Sequence, residues 1–309
     1  WRAAYDEAVD TVRLTSGSII GSGGTLSATN DFDVRSGTVS GKLAGASGLI
    51  KTTSGTVVLS GANTFTGAVS VNAGVLSFAS GPNLGDGSGT NLVTVNGGTL
   101  RYTGTSAAAA SQNFAVGSVG GTIEAANKTG TLTLNSGLTG ITGILTKTGT
   151  GTVTVNNTAD LGTGGVAVTQ GVLNAGFAAT GLGSINVSSG ATLNLFDNAA
   201  TTNLGVALTM ANGATLGFDL NAPGVNDKLV LTGTPTLSGI ISLNLNNLGG
   251  LAIGSYDLIS DASGSLAGAT WILGNAPTTL NYQITTASAG TILRIQASQI
   301  TYAFFNGDQ

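Results

Sequence analysis

The chain of 309 residues contains no cysteine and no histidine. The first absence excludes disulfides, thiol nucleophiles and paired-cysteine metal sites. The second removes the commonest general base and metal ligand. No cofactor is expected. Charge is scarce: 8% of residues are charged, where a soluble domain usually carries about 25%. Ten basic and 14 acidic residues leave a net charge of −4. Nothing resembles the basic patch that a phosphate backbone requires, so nucleic acid is not an expected partner. Aromatic residues are 5% and prolines number 4. No apolar run reaches the roughly 18 residues of a membrane helix, and residues 1–10 lack the apolar stretch of a signal peptide. The start at Trp1-Arg2-Ala3 and the stop after Phe304-Phe305 both read as cuts from a longer polypeptide. With so little charge and no histidine, insensitivity to pH is expected.

Glycine is abundant, with 50 residues, and 41% of the chain is hydrophobic. The apolar residues are mainly small or β-branched and alternate with Thr, Ser and Asn, which favours strand over helix. Residues 54–76 show the unit. An alternating strand runs from Thr56 to Leu59, and a polar turn covers 60–64. A second strand spans Val69 to Val71, and an Asn72-Ala73-Gly74 corner leads to Val75-Leu76.

The corner recurs. Val71-Asn72-Ala73-Gly74, Val95-Asn96-Gly97-Gly98, Val168-Thr169-Gln170-Gly171, Val187-Ser188-Ser189-Gly190 and Met210-Ala211-Asn212-Gly213 share one form. Each runs from an apolar residue through small polar ones to a glycine that can take a left-handed conformation. Self-similarity at roughly 20–25 residues marks stacked supersecondary units. The pattern predicts an all-β chain wound as a parallel β-solenoid, or β-helix. About fourteen coils at ~4.8 Å each would give a rod of ~65 Å. The alternative is a sandwich, and Asn96-Gly97 and Asn212-Gly213 are the pairs that would serve as its hairpin turns.

Two coils match most closely. Lys51-Thr52-Thr53-Ser54-Gly55-Thr56-Val57-Val58-Leu59 parallels Lys147-Thr148-Gly149-Thr150-Gly151-Thr152-Val153-Thr154-Val155, and Gly74-Val75-Leu76 parallels Gly171-Val172-Leu173. The first copy, with Ser60-Gly61-Ala62-Asn63-Thr64-Phe65 following it, resembles the autotransporter-associated β-strand repeat, also called the passenger-associated transport repeat. The second lacks that Ser-Gly-Ala-Asn-Thr element and has Asn156-Asn157-Thr158-Ala159-Asp160 instead. The resemblance implies a right-handed parallel β-helix within a large secreted or surface protein of bacterial export. The membrane barrel of that family is not in this sequence.

The expected division is a cap or junction at 1–10, with helix-like content, then a solenoid over 11–223, then irregular coils and end strands over 224–309. Strands are expected at 271–273, 280–284, 291–295 and 300–305.

β-Helices also host polysaccharide-degrading enzymes, which need paired carboxylates. Asp31 and Asp33, with Arg35, form the best acidic cluster, and the plain alternative is a charged strand edge. Asn226-Asp227-Lys228 reads as a turn with a local ion pair. Asp86-Gly87-Ser88-Gly89-Thr90 begins like a calcium loop, but Gly97 stands where the twelfth-position Glu belongs, so it reads as a loop. Lys51 and Lys147 read as solvated strand-end lysines, and Phe65 as core. Trp1 and Trp271 are the only tryptophans and lie far apart in sequence, which is not the aromatic platform that carbohydrate clefts usually need.

The expected function is non-catalytic and structural, an extracellular β-helical rod whose ends meet neighbouring modules or further copies. Tyr302, Phe304 and Phe305 are the end-stacking candidates. The alternative is an adhesin for a glycan or protein, and the third reading is a β-helix enzyme.

Overall fold

The computed structural model of the chain describes all residues except 1, 4, 22, 141, 158, 161–162, 178–182 and 301–309, with backbone alone at 2–3 and 202–204. It is a parallel β-solenoid, with strands but no α-helix among the described residues. Four sheets of 16, 8, 7 and 3 strands run along its length. Every strand pairing up to Gly254–Ser260 is parallel, as in Thr56↔Val75 and Val75↔Thr99. The step from coil to coil ranges from 17 residues at Thr25↔Lys42 to 30 at Leu229↔Ile259. The solenoid has about ten turns, fewer than the fourteen that a uniform coil length gives. Coils lengthen towards the C-terminus, and residues 281–298 leave the winding altogether.

Successive coils contribute strands to the longest sheet, and inward residues stack in register. One column runs Val57, Leu76, Leu100, Ile123, Lys147, Val168, Val187, Met210. Another runs Leu59, Phe78, Tyr102, Ala125, and within it the Phe78 and Tyr102 rings lie 5.6 Å apart and tilted. Outward neighbours are Thr, Ser or charged residues, as in Thr99, Thr122 and Thr146. Burial of one Leu or Phe in such a column stabilises by about 1.5–3 kcal/mol. Phe65 is fully buried against Phe32 at 6.1 Å, as expected.

The pairs that would have served a sandwich sit at corners instead. Asn96 Oδ1 accepts from the Val119 amide at 3.0 Å, and Asn212 Oδ1 from the Ile240 amide at 2.8 Å, each reaching the next coil. The corner glycines have the expected left-handed backbone, with φ of 64° at Gly74 and 66° at Gly171.

The N-terminal segment is not helical. Arg2–Ala3 and Glu7–Val9 are strands that pair in parallel with Ser18–Gly21 and Thr25–Ala28. The free edge of the next coil offers more backbone hydrogen bonds than an isolated short helix could keep. At the other end, Thr270–Leu273, Asn281–Ala287 and Ile292–Ser298 form the expected strands. The last two pair antiparallel with each other, and Ile292–Ser298 pairs antiparallel with Gly254–Ser260, so the long sheet changes direction at its end.

Candidate functional site

The two matching lysines are in the core, not in solvent. Lys51 and Lys147 are 0% and 1% exposed. Lys147 Nζ donates to the carbonyls of Thr148 at 2.8 Å, Gly149 at 2.9 Å and, in the next coil, Gln170 at 3.1 Å. Lys51 Nζ repeats this with Thr53 O and with Ala73 O at 3.2 Å. In both cases one target carbonyl lies two residues on, and another immediately precedes the positive-φ glycine of the following corner. A tight corner turns carbonyls inward that no strand pairs, and a buried ammonium satisfies three of them. Burial pushes the Lys147 ammonium down to about 8, against a smaller opposing pull from Glu124, and burial lowers Lys51 as well.

The equivalent lysines occupy different faces. Leu49–Lys51 belongs to the seven-stranded sheet and Thr56–Leu59 to the longest. In the second copy, Leu145–Thr148 is in the longest sheet and Thr152–Val155 in the eight-stranded one. The second repeat is therefore rotated by one face about the solenoid axis.

The acidic candidates resolve into structural roles. Asp33 is held between Arg13 at 2.8 Å and Arg35 at 2.9 Å, and hydrogen bonding from Arg35 holds its carboxyl below the usual range. Asp31 accepts instead from the Gly48 amide of the next coil at 2.7 Å. The two carboxylates face different partners. Asp86 is taken up by the Ser88 amide and hydroxyl at 3.0 and 2.8 Å, closing a loop.

Asp227 is not in a turn ion pair. It is buried and bridges two segments, with Oδ1 accepting from the Thr201 amide at 3.0 Å and Oδ2 from the Asp219 amide at 2.6 Å. Asp219 in turn accepts from the Asp197 and Asn198 amides at 3.1 and 2.9 Å and from Asn246 Nδ2 at 2.5 Å. Burial, with smaller contributions from Asp219 and Asp197, raises Asp227 to about 8, and burial raises Asp197. Asp227 and Lys147, both shifted by burial, are the groups through which the fold can respond to pH, against the insensitivity expected from composition. Local sequence could not give Asp227 away, because its partners at Thr201 and Asp219 come from other segments, and the inward turn of the carbonyls beside Lys147 shows only in the folded corner.

Two of the openings adjoin candidate residues. A groove of about 260 Å³ lies on the third face among Asn63, Pro82, Asp86, Ala109 and Gln112. It sits where that face has no strand between Lys42–Ala44 and Ala107–Ala110. A smaller polar pocket of about 190 Å³ is lined by Asn226, Lys228, Ser255, Asp257 and Arg294. The end-stacking candidates Tyr302, Phe304 and Phe305 lie outside the described residues, as does most of the expected strand 300–305, and Trp1 lies outside them too. Trp271 is in the terminal strand of the eight-stranded sheet, where its Nε1 donates to Leu266 O at 2.8 Å.

The passenger-associated transport repeat matches residues 49–78 and 145–175, the two copies read from the sequence. The chain is also 33% identical over 218 residues to the adhesin BmaC autotransporter of Brucella suis biovar 1 (strain 1330). That match covers 63% of this chain and 6% of the relative's length.

Proposed function

Starting from a chain that carries two passenger-associated transport repeats on a parallel β-solenoid, we propose that it is a non-catalytic surface module of a bacterial passenger protein. In this reading it is a rigid rod that carries adhesive faces away from the cell. The observation behind the rod is the register of the long sheet. In-register columns such as Val57 to Met210 bind each coil to its neighbours, so stiffness and length grow with coil number. The observation behind adhesion is the likeness to a protein named as an adhesin autotransporter. The carboxylates fit a non-catalytic role, since Asp33 is neutralised by two arginines and Asp227 is buried by backbone amides.

The test is attachment. Beads coated with the purified chain should adhere to cells or matrix more than beads coated with an unrelated β-solenoid, and soluble chain should compete. The same preparation should release no reducing ends from a panel of polysaccharides. Equal attachment of both bead types would remove the adhesive part, and sugar release would remove the non-catalytic part.

End-to-end stacking is a second reading. It is favoured by the edge strands Thr270–Leu273 and Asn281–Ala287, which end their sheets among the described residues and so offer backbone that can take another strand. Concentration-dependent sedimentation of the purified chain tests it.

A further inference from the structure

In a chain with ten basic residues and net charge −4, two cations share one small pocket. Lys228 begins the strand Lys228–Leu231, and Arg294 lies on Ile292–Ser298. The strand Gly254–Ser260 runs between them and pairs with both. Asp257 stands directly opposite Arg294 in that pairing. The Arg294 Nε donates to Asp257 Oδ1 at 2.5 Å, with the two side chains 33% and 31% exposed. That contact uses one of the guanidinium's three nitrogens, and the two terminal nitrogens make no hydrogen bond among the described residues. Lys228 is half-buried and forms no ion pair among the described residues. The rim is polar, with Asn226 buried and Ser255 exposed, and the volume is about 190 Å³.

We propose that this pocket binds an anionic sugar unit, its acidic group between Lys228 and Arg294 and its ring hydroxyls on Asp257, Ser255 and Asn226. The terminal guanidinium nitrogens can take a carboxylate or sulfate oxygen pair side-on. Lys228 adds a point charge from the other side. Asp257, already accepting from Arg294, offers its second oxygen to a hydroxyl donor. The pocket is smaller than the roughly 300–1,000 Å³ of sites for drug-sized ligands, so it takes one ring, not a chain. Asn226 Nδ2 already donates to Asp227 O and Asp257 O at 2.5 and 2.9 Å, and Ser255 Oγ to Gln296 Oε1 at 2.6 Å, so these groups meet a ligand as acceptors, for which a sugar brings hydroxyl donors and an acidic side chain brings none. The proposal deepens the adhesive reading by naming a ligand class.

The test is ligand-observed NMR on the purified chain with sodium glucuronate, glucose 6-sulfate, glucose and sodium sulfate. Either anionic sugar should bind at least tenfold more tightly than glucose, and added salt should weaken it. Lys228→Gln should lower that affinity at least fivefold without changing the melting temperature. Asp257→Asn removes the competing carboxylate from Arg294 and should raise it severalfold. The ratio of glucuronate to sulfated sugar identifies the anion. The proposal is overturned if neither anionic sugar exceeds glucose, if sodium sulfate alone binds, or if Lys228→Gln leaves affinity unchanged. Free-sugar binding is measured apart from bead attachment, so failure here leaves the adhesive reading standing on its own test.

Discussion

The ammonium of Lys147 crosses a coil boundary to the carbonyl of Gln170 at 3.1 Å. Lys51 makes the corresponding contact with Ala73 at 3.2 Å, one face away. The corner, not the face, is thus the unit that the repeat preserves. A strand, a lysine and a glycine corner fit any edge of the prism, because every face presents the same stacking surface.

Lys147→Met tests that role through pH. The folded-state value of about 8 lies below the ordinary 10.5, so the unfolded chain holds more protons between the two. Stability must then rise as pH rises from about 8 to 10.5, by about 3 kcal/mol in total. Three unpaired corner carbonyls cost about 1 kcal/mol each at the low end, which nearly offsets the relief of removing a buried charge at pH 7. The variant should therefore match the parent at pH 7 and fall about 3 kcal/mol below it near pH 10.5 in urea unfolding. A constant gap across this range would contradict the assignment.

Asp227 works in the opposite direction. Its folded value of about 8 lies above the ordinary 3.8. Its contribution is complete below about pH 4 and is lost as pH rises through 8, on the order of 5 kcal/mol. Together with Lys147 this places a stability minimum near pH 8. Asp227→Asn should flatten the decline between pH 5 and 8, whatever its cost in lost amide contacts. Chemical denaturation at half-unit intervals of pH reads both features.

Gly217 is a test of the side-chain ladder. Asn194 Nδ2 donates to Asn174 Oδ1 at 2.9 Å, and Asn194 Oδ1 accepts from Asn244 Nδ2 at 3.1 Å. The second bond skips the rung of Gly217, which pairs with both Asn194 and Asn244. A Cβ at Gly217 would strike Asn194 Oδ1. Gly217→Ala should lower stability by about 1–3 kcal/mol, the cost of leaving buried amides unmatched. Adding Asn194→Ala should recover part of the loss. No recovery in the double variant would mean that the ladder is not what glycine protects.

The surface ion pair Arg101–Glu124 joins two rungs at 2.7 Å, with side chains 35% and 20% exposed. Such a pair contributes at most about 1 kcal/mol. Arg101→Gln should shift the melting temperature by no more than a few degrees and leave bead attachment intact.

The winding was legible because two local signals agree. Alternation such as Val153 and Val155 marks an inward face, and glycine at Gly74 or Gly171 marks the bend. The lysines were misread because a lysine at a strand end normally reaches water, and the carbonyls one or two residues on turn inward only once the corner is folded. Asp227 was misread because its partners, at Thr201 and Asp219, become neighbours only after coiling. The anion pocket was illegible for the same reason, as Lys228 and Arg294 meet across a strand pairing formed at the end of the chain. The coil count came out too high because coils lengthen to 30 residues towards the C-terminus and the terminal strands turn antiparallel, changes that alternation alone does not encode.

Electron microscopy of the purified chain tests the central claim most directly. The account predicts elongated particles of even width, in which ten regular rungs at ~4.8 Å span about 45–50 Å, with strand density perpendicular to the long axis. Round particles, or two packed sheets with strands along the particle's length, would contradict it.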